Sequence, residues 1–229
     1  MRVSVVVPIH NEAATLQEAV PLLLAELQDV DADVDVALVE NGSTDGTLAE
    51  ATSHASERAG LSVISLPEPD YGAAMRAGFL AAEGDWVVNF DIDYFSGAFV
   101  SEALATDADV VLASKRVAGA NDTRGALRRL ATWGFNLLLR GLFRAHVTDT
   151  HGMKALRREV VVDIGPDVIS TKDLFDTELV IRAERAGYRI AEIPATVIET
   201  RRARSGLWTR VPRTVVGLLR LRVAMWRSG

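Results

Sequence analysis

The sequence predicts an α/β protein built around a mostly parallel sheet, and two observations carry this prediction. Short β-rich runs alternate with helix-length segments from residue 3 to residue 93, which is the pattern of parallel strands joined by crossover helices. Polar clusters directly follow these runs, as expected where ligands bind beyond the carboxyl ends of parallel strands. With 229 residues, 48% of them hydrophobic, the chain can bury a sizeable core.

Each predicted element has its own sequence signal. Residues 3–8 form a β-rich run, closed by a proline that cannot donate a ladder hydrogen bond. Asn11 then suits the N-cap of a helix. The apolar stripe of that helix consists of Leu16, Val20, Leu23 and Leu27. The further predicted strands cover residues 34–40, 61–66, 86–93 and 108–113.

Asp91 and Asp93 end the fourth run, one residue apart. If the strand extends to Asp93, both carboxylates lie on the same face. Two like charges at the end of a buried strand are unfavourable unless a cation compensates them. Oxygen ligands of this kind suit Mg²⁺ or Mn²⁺, which complete their coordination with waters and phosphates. The alternative for an isolated Asp-x-Asp pattern is a pair of solvated loop carboxylates.

Three further polar clusters fall at the same predicted edge of the sheet. They span residues 8–12, 40–43 and 70–76, and each follows a predicted strand. Because the carboxyl ends of parallel strands meet at one edge, the four clusters together predict a ligand site. No Gly-x-Gly-x-x-Gly pattern follows the first strand, which excludes the usual dinucleotide site of a dehydrogenase.

Several segments resemble the family 2 glycosyltransferases of GT-A fold. They are VSVVVPIHNEAATL, LVENGSTDGT, YGAAMRAGFLAAEGDWVVNFDID, DTHGMKALRR and FDTELVIRAERAGYRIAEIPA. They occur in the family order across residues 3–205, and the ordered set is more specific than any one segment. Within the family, the sequence is most similar in look to the dolichyl- or polyprenyl-phosphate sugar (mannose) synthases.

The resemblance implies a Rossmann-like GT-A sheet with helices on both faces and a nucleotide-diphosphate-sugar donor. It also implies Mg²⁺ or Mn²⁺ bound by Asp91 and Asp93, and inversion at the anomeric carbon. The donor contacts that we expect are Pro8, Glu12, Glu40, Ser43, Gly72, Arg76 and Asp91. For Glu12 and Arg76, a helix-terminal charge and a solvated arginine remain the respective alternatives.

The acceptor determines which other residues act. A polyprenyl phosphate is already ionised and needs basic residues to bring it close. The candidates for this role are Lys115, Arg116, Arg128 and Arg129. A hydroxyl acceptor instead needs a carboxylate to take its proton, and Asp149 and Glu178 are the candidates beside Asp93 in the catalytic set. Asp149 and Glu178 could equally tie a loop to a helix N-terminus.

The chain departs from the family pattern at three places. Glu40 and Asn41 stand where the family usually has two aspartates, and residues 68–70 replace an Asn-Arg-Gly segment. Phe95 stands where the lipid-phosphate synthases often have a polar residue that helps to hold the metal. Two alternatives follow: a transferase acting on a soluble or glycan hydroxyl, or a catalytically weak nucleotide-sugar-binding protein of the same fold.

Charge is strongly segregated along the chain, although the net charge is only −6. Residues 1–114 contain 20 acidic and 3 basic residues, and residues 115–158 contain 2 acidic and 10 basic residues. Residues 201–229 contain 8 arginines and no acidic residue. Such asymmetry indicates an interaction surface for an anionic partner. We favour a lipid phosphate and an anionic membrane surface over nucleic acid, because the basic segments are also amphipathic.

We expect a single GT-A domain over residues 1–205 and a basic amphipathic helix over residues 206–229. This helix has tryptophans near both ends, Trp208 and Trp226, which suits a position in the membrane interface. An ordinary terminal helix packed on the domain is the alternative. For the helix over residues 127–143, we expect its apolar face to pack over the active site.

Other features of the sequence bear on location. No uncharged apolar stretch reaches the ~18 residues of a spanning helix, and no secretory signal is evident. We therefore expect a cytoplasmic protein that lies peripherally on the cytoplasmic membrane face, as a monomer or a homodimer. The sequence has no cysteine, so disulfides and thiolate chemistry are excluded within it.

Overall fold

Seven strands form the central sheet of the computed structural model, which describes residues 1–122, 126–171, 174–197 and 207–227. The strands are β1 (Arg2–Ile9), β2 (Asp33–Asn41), β3 (Leu61–Leu66), β4 (Trp86–Asn89), β5 (Val110–Ser114), β7 (Lys154–Arg157) and β8 (Ile190–Pro194). Their order is β3-β2-β1-β4-β7-β5-β8, and only β7 runs antiparallel to its neighbours. Two short strands, β6 (Asn121–Asp122) and β9 (Thr196–Val197), pair separately.

Helices cover both faces of the sheet. One face carries α1 (Ala13–Gln28), α2 (Thr47–Glu57) and α4 (Gly97–Leu104), and the other carries α3 (Tyr71–Ala81), α5 (Ala126–Phe143), α6 (Arg158–Ile164), α7 (Phe175–Arg185) and α8 (Leu207–Arg227). Each layer encloses its own apolar core. Strand β1 serves both, because Val5 and Val7 face the first core while Val6 faces the second. The predicted α/β class, mostly parallel sheet and two helical layers are confirmed.

The first helix begins differently from the prediction. Its predicted apolar stripe is buried at all four positions, Leu16, Val20, Leu23 and Leu27. Its N-cap, however, is Glu12, so the prediction of Asn11 at that position is wrong. Asn11 instead adopts a left-handed conformation with φ of 53°, which asparagine tolerates better than most residues. From there its side-chain oxygen accepts a hydrogen bond from the Thr44 backbone at 2.9 Å and joins two loops.

Strand β4 is shorter than predicted and ends at Asn89, not at Asp93. The antiparallel partner β7 begins at Lys154, opposite Asn89, so the ladder on that side stops there. The chain then turns, and the Tyr94 backbone donates to the Asp91 carbonyl at 2.9 Å. The expected alternation nevertheless persists through the turn: Ile92 is buried, while Asp91 and Asp93 are both exposed.

Helix α3 lies against β1 and β2 because residue 78 has no side chain. A Cβ atom on Gly78 would overlap the Val6 side chain and lie 2.9 Å from Cγ2 of Val39. Both valines are fully buried, so neither has space to move aside. This close approach sets the position of the helix that follows the β3–α3 loop.

We expect Gly78→Ala to lower the free energy of unfolding by about 1–3 kcal/mol, because the added methyl group overpacks the core. The control is Gly141→Ala on α5, where a Cβ atom meets nothing within 4 Å. That substitution should raise stability by up to about 1 kcal/mol through helix propensity alone. Chemical denaturation of both variants tests the packing argument, and equal effects at the two positions would contradict it.

Candidate active site

The predicted polar clusters meet at the carboxyl edge of the sheet. Pro8 pairs in register with Val39, and Ile9 pairs with Glu40, so the ends of β1 and β2 lie side by side. Strand β4 adjoins β1 on its other side and brings Asp91 and Asp93 to the same edge. The structure therefore brings Pro8, Glu40 and the two aspartates together, as the strand order requires.

Glu40 organises the loop that follows β2. Its side chain is buried, and its two oxygens accept hydrogen bonds from the Ser43 backbone at 2.5 Å and the Ser65 hydroxyl at 2.7 Å. Burial raises the pKa of Glu40, but the hydrogen bonds from Ser43 and Ser65 lower it more, so the net pKa lies below the ordinary value. Glu40 is thus a charged anchor for residues 42–43, which leaves the loop itself to face a ligand.

The same loop requires a glycine at position 42. Gly42 has φ of 64°, and a Cβ atom there would lie 2.7 Å from the backbone carbonyl carbon of Glu68. The Ser43 hydroxyl accepts a hydrogen bond from the Asn11 backbone at 3.0 Å. Three loops, after β1, β2 and β3, are therefore packed against one another at this edge.

Glu12 is mostly buried at the start of α1. Its carboxylate accepts from the Thr15 hydroxyl at 2.7 Å, and its backbone nitrogen donates to the Thr47 hydroxyl at 2.8 Å. The Thr15 contact lies within the first turn of α1, and the Thr47 contact joins the starts of α1 and α2. They match the helix-terminal alternative for Glu12, and its donor contact stays a prediction.

Two of the expected donor contacts lie on α3. Gly72 is buried in the first turn of the helix. The exposed Arg76 donates to the carbonyl oxygens of Pro166 at 2.9 Å and Val168 at 3.3 Å. Arg76 therefore joins α3 to the 3₁₀ turn Gly165–Asp167, and its contact with a diphosphate stays a prediction.

Asp91 carries a strongly perturbed carboxyl group. Water reaches its side chain, yet protein atoms crowd the carboxylate, and this burial is the main cause that raises its pKa to about 6. The negative charges of Asp176 and Asp93 raise it further. Lys154 and Lys115 act in the opposite direction but do not balance these effects. The site therefore favours an additional positive charge at Asp91.

Lys154 lies beneath these carboxylates and was not predicted from the sequence. Its side chain is 1% exposed, and Nζ donates at 2.9 Å to each of three oxygens: Oδ1 of Asn89, the Gly152 carbonyl and Oδ1 of Asp176. The other Asp176 oxygen accepts from the Tyr71 hydroxyl at 2.9 Å. A lysine at the start of a strand, inside the DTHGMKALRR segment, was the available signal.

Asp149 lies in the loop before β7, next to the end of β5. One carboxylate oxygen accepts from the His151 backbone at 3.1 Å, and the other lies 3.9 Å from the Lys115 ammonium group. The loop is held by Glu192, a residue the prediction missed, which accepts from the Thr148 backbone and hydroxyl and from the Asp149 backbone. Asp149 and Asp91 both raise the pKa of Tyr94, whose burial is the main cause of the shift.

Glu178 has both oxygens occupied within the protein. The residue is fully buried, and it accepts from the Ile169 backbone at 3.1 Å, the Ser170 backbone at 2.6 Å and Nε of Arg182 at 2.7 Å. It therefore ties the segment before α7 to that helix, which is the alternative stated for it from the sequence. Asp176, two residues earlier, is the carboxylate of α7 that reaches the site.

The basic acceptor candidates are divided between two elements. Lys115 and Arg116 follow β5 directly, with Arg116 exposed and its backbone donating to the Ser114 hydroxyl at 3.2 Å. Arg128 and Arg129 lie in the first turn of α5, and their side chains fall outside the described part of the chain.

Only one side of helix α5 packs over the loop that contains Asp149. Asn136 donates to the Thr148 carbonyl, and the Phe135 ring meets His151 edge-on at 5.6 Å between centroids. Leu139 is buried in the second core. The expected packing of the α5 apolar face over the site is correct for Phe135, which contacts His151. It is wrong for Leu138, which is 39% exposed because the helix turns that side chain away from the loop.

The donor set fits a hard divalent cation. Across residues 1–122, 126–171, 174–197 and 207–227, no three His, Cys, Asp or Glu side chains are grouped as metal ligands. Asp91 and Asp93 alone are therefore an incomplete ligand set, which suits Mg²⁺ or Mn²⁺ completed by waters and substrate phosphates. The raised pKa of Asp91 supports this fit, because a bound cation would relieve the excess negative charge.

We expect Asp91→Asn to raise the melting temperature of the metal-free protein at pH 7.5 by about 2–4 °C, the effect of ~1 kcal/mol after solvent screening. Because the folded-state pKa is raised, the folded protein binds more protons than the unfolded chain between about pH 4 and pH 6. Wild-type stability therefore falls as the pH rises through that window, and the advantage of the variant should shrink at pH 4.5. Thermal unfolding at both pH values measures this. Lower stability of the variant at pH 7.5 would contradict it.

We expect Lys154→Met to lower the free energy of unfolding by about 3–5 kcal/mol, because it leaves the buried Asp176 without its cation. The control is the double variant Lys154→Met/Asp176→Asn, which removes both charges. Its loss should be smaller than the sum of the two single losses, as measured by urea denaturation. Additive losses would show that the two residues do not interact.

The sequence comparisons agree with this geometry. The family model described as glycosyl transferase family 2 matches residues 4–165. An undecaprenyl-phosphate mannosyltransferase from Micrococcus luteus is 32% identical over 212 residues, which cover 87% of this chain and 84% of that protein. An uncharacterised glycosyltransferase from Mycobacterium tuberculosis is 34% identical over 197 residues and 83% of each chain.

Solved structures share the fold. Glucosyl-3-phosphoglycerate synthase from Mycobacterium tuberculosis, in complex with Mn²⁺, UDP-glucose and phosphoglyceric acid, has a TM-score of 0.71 at 24% identity, over 96% of this chain and 79% of that one. A mannosyltransferase from Pyrobaculum calidifontis, in complex with GDP-mannose and Mn²⁺, has a TM-score of 0.66 at 22% identity, over 100% of this chain and 65% of that one. The chain therefore belongs to glycosyl transferase family 2 and is a nucleotide-sugar glycosyltransferase with a GT-A-like α/β fold.

Proposed function

We propose that the protein transfers a sugar, with inversion, from a nucleoside diphosphate sugar to a polyprenyl phosphate, and that it requires Mg²⁺ or Mn²⁺. One observation carries the choice of acceptor: the two carboxylates predicted as bases are both engaged by other groups. Glu178 accepts three hydrogen bonds and is fully buried. Asp149 is 6% exposed, accepts from the His151 backbone and lies beside Lys115.

A phosphate acceptor suits this arrangement because it is already ionised and needs no residue to take its proton. The name of the Micrococcus luteus relative, an undecaprenyl-phosphate mannosyltransferase, supports the same class of acceptor. A hydroxyl acceptor would require Asp149 to exchange its present contacts for the substrate. That is the second candidate function, and the acceptor assay below distinguishes the two.

Different residues of the chain would have different roles in the reaction. Asp91 and Asp93 would hold the cation, which when bound neutralises the charge on the departing nucleoside diphosphate. The loops after β1, β2 and β3 would position the nucleotide, with Glu40 and Gly42 fixing the middle loop. Lys115 and Arg116 would orient the acceptor phosphate. Attack from the side opposite the departing diphosphate gives inversion.

The proposal also places the protein on the cytoplasmic face of a membrane, where a polyprenyl phosphate is anchored. Within the described residues, no helix combines the length and the apolar character that a membrane span needs. We infer peripheral attachment from the basic amphipathic character of α8. We also infer one GT-A domain over residues 1–205 with α8 as a following amphipathic helix, in agreement with the helix that begins at Leu207.

We expect Asp93→Asn to reduce sugar transfer by at least about a hundredfold, because one of the two cation ligands is lost. The variant should fold normally, since Asp93 is exposed in the turn after β4. Asp31→Asn, at an exposed aspartate in the α1–β2 connection, is the matched control and should keep full activity. Unchanged transfer by the Asp93 variant in the presence of Mn²⁺ would refute the metal role.

Thermal unfolding with UDP-, GDP- and dTDP-sugars, each with and without Mn²⁺, identifies the donor. We expect one nucleotide to raise the melting temperature, and to do so more strongly with Mn²⁺. Transfer from that donor is then measured to detergent-solubilised undecaprenyl phosphate and, separately, to phosphoglyceric acid and free sugars. Transfer only to the soluble acceptors would establish the second candidate, and binding without any transfer would indicate a nucleotide-sugar-binding protein.

A further inference from the structure

We propose that α5 and α8 together form a docking surface for an anionic lipid bilayer, which we call the basic platform. It consists of the outward-facing side chains of both helices, principally Trp133, Leu137, Arg140, Leu219, Arg220 and Trp226. The two helices contact each other along the same layer of the protein. The proposal goes beyond transfer chemistry, because it concerns binding to a bilayer that contains no substrate.

Exposed apolar side chains are concentrated on these two helices. The described part of the chain has 13 exposed large hydrophobic residues, and 7 of them lie on α5 and α8. Trp226 is 74% exposed, Leu137 57% and Trp133 54%. Single exposed apolar residues are ordinary, but a group on adjacent helices indicates an interaction surface.

Helix α8 has two apolar stripes, and the domain uses only one. The inner stripe, Leu218, Leu221 and Met225, is buried in the second core. The outer stripe, Val216, Leu219, Val223 and Trp226, is between 47% and 74% exposed. A helix that merely packs on its domain needs the inner stripe alone. The outer stripe is therefore available to a second apolar partner.

The charge of the platform selects an anionic bilayer as that partner. Neither α5 nor α8 contains an acidic residue, and Arg140, Arg144, Arg220 and Arg222 are all exposed. A second copy of the chain packed through the same surface would bring like charges together, because a twofold interface is self-complementary. Basic side chains around an apolar stripe with tryptophans are instead typical of helices that lie in the membrane interface.

The platform is attached directly to the acceptor side of the active site. On the inner side of α5, Asn136 donates to the Thr148 carbonyl, and Phe135 packs on His151. Thr148 and His151 lie on either side of Asp149 in the loop, and Asp149 lies beside Lys115. If the proposed acceptor is correct, docking would hold the Lys115 region, on the inner side of α5, close to the bilayer.

Co-sedimentation with vesicles tests the proposal without donor, metal or polyprenyl phosphate. The vesicles contain phosphatidylcholine alone or phosphatidylcholine with phosphatidylglycerol. We expect the protein to pellet with the anionic vesicles at low salt, much less with the neutral ones, and less again as salt screens the arginines. Trp133→Ser/Leu219→Ser should weaken the binding about tenfold or more, and Arg140→Gln/Arg220→Gln should weaken the binding to anionic vesicles and make it measurably less dependent on salt.

The matched control is Leu22→Ser/Val162→Ser, at two exposed apolar residues on α1 and α6. It should pellet like the wild type, and circular dichroism checks that every variant is folded. Equal binding to neutral and anionic vesicles, or equal loss in control and platform variants, would overturn the proposal. A wild-type dimer in light scattering that Trp133→Ser/Leu219→Ser dissociates would assign the surface to a second copy instead. Vesicle binding without lipid-phosphate transfer would leave the platform intact and refute only the proposed acceptor.

Discussion

The buried ammonium group of Lys154 is the interaction on which the arrangement of the active site depends. Its three hydrogens are all used, on Asn89, Gly152 and Asp176, so it has no remaining freedom to rotate. These partners belong to β4, to the loop before β7 and to α7, and Asp176 extends the network to Tyr71 at the start of α3. An unpaired buried charge is strongly unfavourable. A movement of any one of these four segments would therefore require the others to move with it.

Much of the fold was predictable because it depends on local patterns. The alternation of apolar runs with helical segments gave the strands β1 to β3 closely, and the apolar stripe of α1 is buried as predicted. The edge of the sheet where the polar clusters meet followed from the parallel order alone. The spacing of Asp91 and Asp93 predicted that they share a face, and both are exposed even though they lie in a turn. Their role as metal ligands stays a prediction.

The remaining features depend on contacts between distant segments, which periodicity does not report. Strand β4 ends where it does because its neighbour begins at Lys154, 65 residues later in the chain. Glu178 and Asp176 lie in one motif, and only the packing of α7 decides which of them reaches the site. Likewise, the apolar residues of α5 could not be divided into inner and outer sets before α8 and the Asp149 loop were placed.

The fold turns the segregation of charge along the sequence into a separation of charge in space. Helices α1, α2 and α4, all from the acidic first half, cover one face of the sheet, while the basic platform lies in the layer on the other. The protein is therefore an electric dipole whose axis crosses the sheet. Near a negatively charged surface this dipole experiences a torque within about one Debye length, ~8–10 Å. Copies of the protein that approach such a surface with the acidic face are repelled or rotated. The orientation of the protein is therefore selected before any side chain touches the surface.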